Sequence, residues 1–345
     1  MTTTVPAAPA FVQQPHPLKV PRNPRLLSLF TFFDTFRAMT RKPMPESWRT
    51  WLLLRAETVR YHKTLRLLIP LAKLVTRYRG VFRPHLLELE YLLVGTHRTN
   101  VVANAPDGAR YVMTTTDQGL SRSVYAWGSY ERGQLLRAVE RAHVSPDSIM
   151  LDLGSNIGTA AISGVVSGWF AGAVCVEAEP ETARLMRTNI VLNGLDARMT
   201  GLWGAVGAGT GELRFHVDPE RRGMSRVTAD GEIVVPVRPV TDILDELHID
   251  PARVGLVWVD VEGQECAVIE GAGDLWNSAP WVLEMRSVLG DLASLAMKFR
   301  DREVLVLTEN DLPSNRTLSV KEIDDIINHR VTEICLDVLV LPKSA

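Results

Sequence analysis

Cysteine is scarce: the 345 residues contain three, Cys175, Cys266 and Cys335. That is too few, too widely spaced, for a disulfide framework or a zinc site. Each lies in an apolar run, where a thiol packs as a small hydrophobe in a reducing compartment. No apolar run reaches the ~18 residues of a membrane span. The first residues, MTTTVPAAPAFVQQPHPLKVPRNP, lack the basic start and apolar stretch of a secretory signal. A cytoplasmic protein is expected. Low-complexity sequence is also missing, and 46% hydrophobic residues suffice for a full core, which excludes a disordered chain.

Net charge is small, −2, but unevenly spread. Residues 1–100 hold 16 Lys and Arg against 5 Asp and Glu, and the remainder holds 22 against 35. Opposite signs in two parts suggest two units with different tasks. Residues 1–24 carry six prolines and read as an extended tail. Residues 25–98 read as a basic helical region, with pieces at 47–69, 71–80 and 85–94 punctuated by Pro70 and Pro84. Helices of this kind pack an apolar side on a neighbouring domain, or else lie on an anionic membrane surface. Packing is the favoured reading, peripheral membrane contact the other. No nucleic-acid motif accompanies the charge, so nucleic acid is not an expected partner. Oligomeric state leaves no mark on the sequence.

Residues 99–345 read differently. A hairpin is expected around Pro106-Asp107-Gly108. Short apolar strands then alternate with helices: strands at 149–153, 173–176, 198–206, 256–259 and 281–285, and helices at 159–167, 181–193 and 265–271. A helix at 289–300 and strands at 304–308 and 334–341 close the chain. Continuous apolar strands between helices imply a doubly wound, mostly parallel sheet covered on both faces.

Three segments carry chemistry. In MLDLGSNIGTAAISG, residues 150–164, an apolar strand meets a turn flanked by Gly154 and Gly158, and a helix follows. Backbone N–H groups and the helix N-terminus at such a turn favour a polar or anionic ligand. Asp152 can tie down the turn, and Asn156 tolerates unusual backbone angles. The G-x-G-x-x-G fingerprint of nicotinamide enzymes is absent, since Ser155 stands where that pattern, ending at Gly158, needs a glycine. In CVEAEPETARLMRTNIVLNG, Glu177 ends the second strand, where a carboxylate can accept hydrogen bonds from ribose hydroxyls. Glu179 is the competing acid, but with Pro180 it reads as a helix entry. In GLVWVDVEGQECAVIEG, a strand delivers Asp260 and Glu262 to its C-terminal end, where they can take a proton, orient a substrate or bind a cation. Glu265 reads as a first-turn helix acid. Glu284 ends the next strand in WVLEM and can face the same cleft.

Together these segments resemble the FkbM family of methyltransferases, whose pattern is D-x-G-A-N-x-G, then E-P-x-P, then K-x-D-x-E-G-x-E, then a strand ending in Glu. Here the first reads Asp152-Leu-Gly154-Ser-Asn156-Ile-Gly158, the second Glu177-Ala-Glu-Pro180, and the third Trp258-Val-Asp260-Val-Glu262-Gly263-Gln-Glu265. Ser155, Ala178 and Trp258 replace the family's alanine, first proline and lysine. Gly128-Ser-Tyr-Glu131 is similar to the family's G-x-[WY]-E, and the match covers about residues 100–290. The resemblance implies a Rossmann-like, seven-stranded class I methyltransferase sheet, with S-adenosyl-L-methionine as donor and an alcohol acceptor on a glycan, glycolipid or secondary metabolite. It implies that Asp152, Gly154, Asn156 and Gly158 line the methionine end of the donor and Glu177 its ribose.

Asp260 is then the first candidate base, Glu262 the second and Glu284 the third. His143, His216 and His248 lie outside the three motifs and rank below them. No metal ligand set is assigned. Two other readings stay open: a different Rossmann-like enzyme, either an N-methyltransferase or a nicotinamide oxidoreductase, and a non-catalytic binding module.

Overall fold

The computed structural model describes residues 83–95, 100–287, 292–309, 312–330 and 334–343. The proline-rich tail and the helical pieces expected at 47–69 and 71–80 lie outside them. The third piece is a helix, α1 (Arg83–Val94), followed by the hairpin β1 (Asn100–Asn104) and β2 (Arg110–Thr114). Two helices, α2 (Leu120–Trp127) and α3 (Arg132–Arg141), lead into the main sheet. Its first half is β3 (Ile149–Leu153), α4 (Thr159–Val166), β4 (Gly172–Glu177), α5 (Pro180–Leu192) and β5 (Met199–Trp203). An excursion follows: β6 (Ala205–Val206), β7 (Gly211–His216), β8 (Arg226–Val227) and β9 (Ile233–Arg238). The second half is α6 (Val240–Glu246), β10 (Val254–Val259), α7 (Glu265–Glu270), α8 (Leu275–Ser278), β11 (Trp281–Arg286), α9 (Leu292–Lys298), β12 (Val304–Glu309), β13 (Leu312–Thr317), α10 (Val320–Ile327) and β14 (Cys335–Val340).

The main sheet has the order β13-β12-β14-β11-β10-β3-β4-β5. From β11 to β5 every neighbour pair is parallel, and β14, β12 and β13 are antiparallel additions. Eight strands are present where seven are expected, because Leu312–Thr317 pairs along β12 as an extra edge. The strand expected over 198–206 is two strands. Gly204 breaks it with a φ of +148°, and β6 leaves to pair with β9 in a separate four-stranded sheet, β6-β9-β7-β8. Nothing in the sequence pattern marks that small sheet, whose strands are short and half-exposed.

Alternation along the parallel strands feeds two cores. Leu151, Leu153, Val174, Val176, Val257, Val259 and Leu283 face α6, α7, α9 and α10. Met150, Ala173, Cys175, Leu256, Trp258 and Val282 face α2 to α5. The doubly wound arrangement is thus written in every second side chain. Trp258, which stands in the place of the family's lysine, is 5% exposed within this second core. Helix α1 joins the same side: Tyr91 is fully buried, stacks obliquely on Tyr125 at 5.5 Å, and donates its hydroxyl to the carbonyls of Thr114 and Asp117. The three cysteines are free thiols. Among the described residues no helix is long and apolar enough to cross a membrane.

Trp281 anchors the first core. It is fully buried and meets Trp276 edge-on at 5.3 Å. Trp281→Ala is expected to cost about 3–5 kcal/mol, measured as a lowered denaturant midpoint. A loss below ~1 kcal/mol would show that the core closes over the cavity.

Candidate active site

In this sheet the chain steps from β3 outward to β4 and β5, then returns to place β10 on the other side of β3. The C-terminal ends of β3 and β10 therefore border a topological switch point, where open α/β sheets bind ligands. A cleft lies there. Its floor is Gly154 and Asn156 after β3, with Glu177 and Ala178 ending β4. Gly204, Ala205 and Val206 after β5 form one wall, and Asp260, Val261, Glu262 and Gln264 after β10 form the opposite one. The excursion sheet supplies the remaining side through Phe215, Arg222, Gly223, Ser225 and Val227.

The β3 turn is held by its backbone. Gly154 and Ser155 both donate their N–H to the Val176 carbonyl at 2.9 and 3.0 Å, and Asp260 donates to Leu153 at 2.9 Å. Gly154 has a φ of +86°, and a Cβ there would lie 1.7 Å from the Asp260 carbonyl oxygen. Glycine is required twice, for the left-handed backbone and for the approach of β10. Asn156, at φ +50°, shares the left-handed region that its short polar side chain tolerates.

Glu177 is 9% exposed. One carboxylate oxygen accepts from the Asn156 N–H and the other from the Glu179 N–H, both at 2.8 Å. Burial raises its pKa to about 7, against the pull of those backbone donors. Glu179 is otherwise engaged. It caps α5 by accepting from the N–H groups of Glu181 and Thr182, and it pairs with Arg222 at 2.6 Å. Asp152 and Gly158 stand behind the cleft rather than in its lining. Asp152 is 1% exposed and accepts from the Ala161 N–H at 3.3 Å, and burial raises its pKa to about 7. Gly158 starts α4 at φ +85°, against Ile162 and Met186.

On the opposite rim, Asp260, Glu262 and Glu284 converge. One carboxylate oxygen from each lies within 4.8 Å of the others. Glu284 pairs with Arg286 at 2.5 Å. Desolvation and mutual repulsion raise the pKa of Asp260, with Glu131 the strongest charged neighbour, and they raise Glu262 too. Two further acids join them. Glu131, in the left-handed region at φ +58°, and Asp337 of β14 face the cluster, and the pKa of Glu131 is raised by burial first and by Asp337 next. Burial pushes up the pKa of the Tyr130 hydroxyl, and the charges of Glu131, Asp260, Glu284 and Asp337 add to it. A second hollow adjoins this rim, lined by Gln264, Glu265, Glu270, Glu284 and Arg286 among others.

Sequence reasoning reaches Asp260, Glu262 and Glu284, which the sheet brings together, but not Glu131, Asp337, Arg222 or Phe215 as site residues. Signals exist for two of them. Glu131 ends the Gly128-Ser-Tyr-Glu131 motif, and Asp337 interrupts the apolar run ICLDVLVL. Arg222 and Phe215 lie in an excursion with no pattern to mark it. Neither His143, His216 nor His248 lines the cleft.

Comparison with known families decides the class. The model of the methyltransferase FkbM domain matches residues 152–332, more than half of the chain. The chain belongs to the FkbM methyltransferase family. The matched span runs from Asp152 at the β3 turn past Glu177, Asp260 and Glu284, so it contains both rims of the cleft. Among solved structures, the FkbM methyltransferase from Methylobacillus flagellatus KT is 17% identical, over 80% of this chain and 60% of that one, with a TM-score of 0.38. The tRNA (m1A22) methyltransferase TrmK of B. subtilis is 11% identical, over 61% and 66%, with a TM-score of 0.35. Trm5 of Methanocaldococcus jannaschii in complex with adenosine is 11% identical, over 72% and 58%, with a TM-score of 0.39. This FkbM-family chain thus spans less than two thirds of each of those three structures. Among the curated proteins it has no match.

Two predictions test the site's construction. Gly168 also has a positive φ, +73°, but open space around it. Gly168→Ala should cost only the left-handed strain of about 1–2 kcal/mol, and Gly154→Ala clearly more, by urea denaturation; equal costs would refute the close approach. The second concerns pH. Folding raises the pKa of Glu177 from 4.5 to about 7, so the native state holds a proton that the unfolded chain releases. Its contribution is fully present below pH 4.5 and is lost as pH rises to about 7. Glu177→Gln should therefore flatten the fall in melting temperature across that window, and an unchanged slope would show that the carboxyl titrates normally.

Proposed function

We propose that this methyltransferase moves a methyl group from S-adenosyl-L-methionine to a hydroxyl of a glycan, glycolipid or secondary metabolite. The observation that carries the donor reading is the Glu177 carboxylate. Two backbone N–H groups fix it at the end of β4, in the lining of the same cleft as Gly154. A carboxylate has about four acceptor sites, so a fixed one still accepts from two ribose hydroxyls. Gly154, Asn156 and the bend at residues 152–158 serve the methionine end, with Asp152 and Gly158 acting from behind by holding the turn. Val206, Phe215 and Val227 offer the apolar surface that an adenine ring needs.

Transfer is an in-line displacement. The acceptor oxygen forms a bond to the methyl carbon, the carbon–sulfur bond breaks with its electron pair going to sulfur, and the hydroxyl proton leaves. The departing thioether is neutral and needs no acid. Holding oxygen and methyl in line supplies on the order of 7–11 kcal/mol, and a base adds roughly 10²–10⁴-fold. Asp260 is the base in this reading, with Glu262 and Glu284 beside it. The hollow next to Glu284, lined by Gln264, Glu265, Glu270 and Arg286, offers the polar contacts that a polyhydroxylated acceptor uses.

Calorimetric titration is expected to show binding of S-adenosylhomocysteine and none of NADH. Glu177→Ala should weaken donor binding about 10–100-fold, the worth of hydrogen bonds to a charged group; unchanged affinity sinks the ribose assignment. Asp260→Asn should keep donor affinity and lose roughly 10²-fold or more in turnover, on an acceptor found by labelling extracts with methyl-labelled donor. Wild-type turnover in that variant would remove Asp260 as base.

A further inference from the structure

The acidic rim contains more negative charge than a single base needs. Asp260 and Glu262 follow β10, and Glu284 lies inside the neighbouring β11, two residues before its end and opposite Asp337 in the ladder. Their oxygens gather within 4.8 Å, with Glu131 and Asp337 close behind. Arg286 meets Glu284, and Arg226 lies near Glu262, while Glu265 adds its charge to the acids around Asp260. Oδ1 of Asp260 and Oε2 of Glu262 are shut off from solvent and accept no hydrogen bond. An unpaired buried carboxylate oxygen costs far more than a paired one. Two of them, on carboxyls that gather within 4.8 Å of one another and repel each other, leave a place for a positive ligand.

We propose that Asp260, Glu262 and Glu284 form a binding site for a hard divalent cation of the Mg²⁺ or Mn²⁺ type. The ligand set is all oxygen, which suits Mg²⁺, Mn²⁺ and Ca²⁺ rather than zinc or copper. Three ligands leave coordination positions open, and the site borders both the donor cleft and the hollow beyond Glu284. The use of the cation rests on the methyl-transfer reading; its binding does not. In use, it holds the acceptor hydroxyl oxygen facing the methyl group and makes loss of that hydroxyl's proton easier. With one oxygen on the cation, Asp260 keeps its second oxygen to receive the proton.

Manganese binding to the full chain, with neither donor nor acceptor present, tests this by electron paramagnetic resonance, in which bound Mn²⁺ loses the signal of the free ion. One Mn²⁺ per chain is expected, with affinity lowered more than about tenfold by Asp260→Asn and by Glu284→Gln. Glu212→Gln, exposed on β7 and in neither cleft, should bind as wild type. Circular dichroism establishes that the variants fold, and Asp260→Asn should melt higher than wild type in chelator, because it removes a repelling charge with no cationic partner of its own among the described residues. No binding by the wild type up to about 1 mM Mn²⁺, or equal binding by both cluster variants, overturns the proposal. Donor affinity measured in chelator reports separately on the methyl-transfer reading.

Discussion

The site depends on how closely two strand ends approach. At the switch point, the backbone of Gly154 lies so near the Asp260 carbonyl that no Cβ fits between them. That contact brings the turn after β3 and the acids after β10 to opposite sides of one narrow cleft. Hydrogen bonds on either side secure it. Asp260 donates to Leu153, and Gly154 and Ser155 share the Val176 carbonyl, so β10, β3 and β4 are tied together just where the strands stop. A side chain at 154 would push the turn after β3 away from the carboxylates after β10.

From that contact the electrostatics divide into two regions. On the β4 side, Glu177 is buried but supported, each oxygen accepting a backbone N–H, while Glu179 is occupied in capping α5 and holding Arg222. On the β10 side, support is thinner than charge. Asp260, Glu262, Glu284, Glu131 and Asp337 crowd together, and desolvation with mutual repulsion lifts the pKa of Asp260, Glu262 and Glu131. Burial lifts Glu177 to about 7 as well, so both sides of the cleft hold carboxyls shifted toward neutral pH, the behaviour that marks functional sites. The excursion after β5 completes the enclosure, with Arg222 reaching back to Glu179 across the cleft edge.

The parallel strands and their covering helices follow from apolar runs and caps that any reader of the sequence can find, because burial on both faces leaves few polar positions within them, Asp152 of β3 and Glu284 of β11 among those few. The three motif segments are legible for a related reason: each is a strand end, where an apolar run meets a glycine or an acid, and parallel strands bring all such ends to one edge. Glu177 could be chosen over Glu179 because Pro180 marks the helix entry, and Glu179 is indeed the N-cap residue.

What the sequence by itself determined, then, is the sheet, its two faces and the family, since all three rest on local periodicity and contiguous motifs. The tertiary structure alone decided the rest. It added β13 as an eighth strand, split the run at Gly204, turned Asp152 and Gly158 behind the cleft, and brought Glu131 and Asp337 from positions more than 70 residues away in the chain to face Asp260. These depend on which strand lies beside which, and strand order is settled by packing between distant segments, which no local pattern encodes.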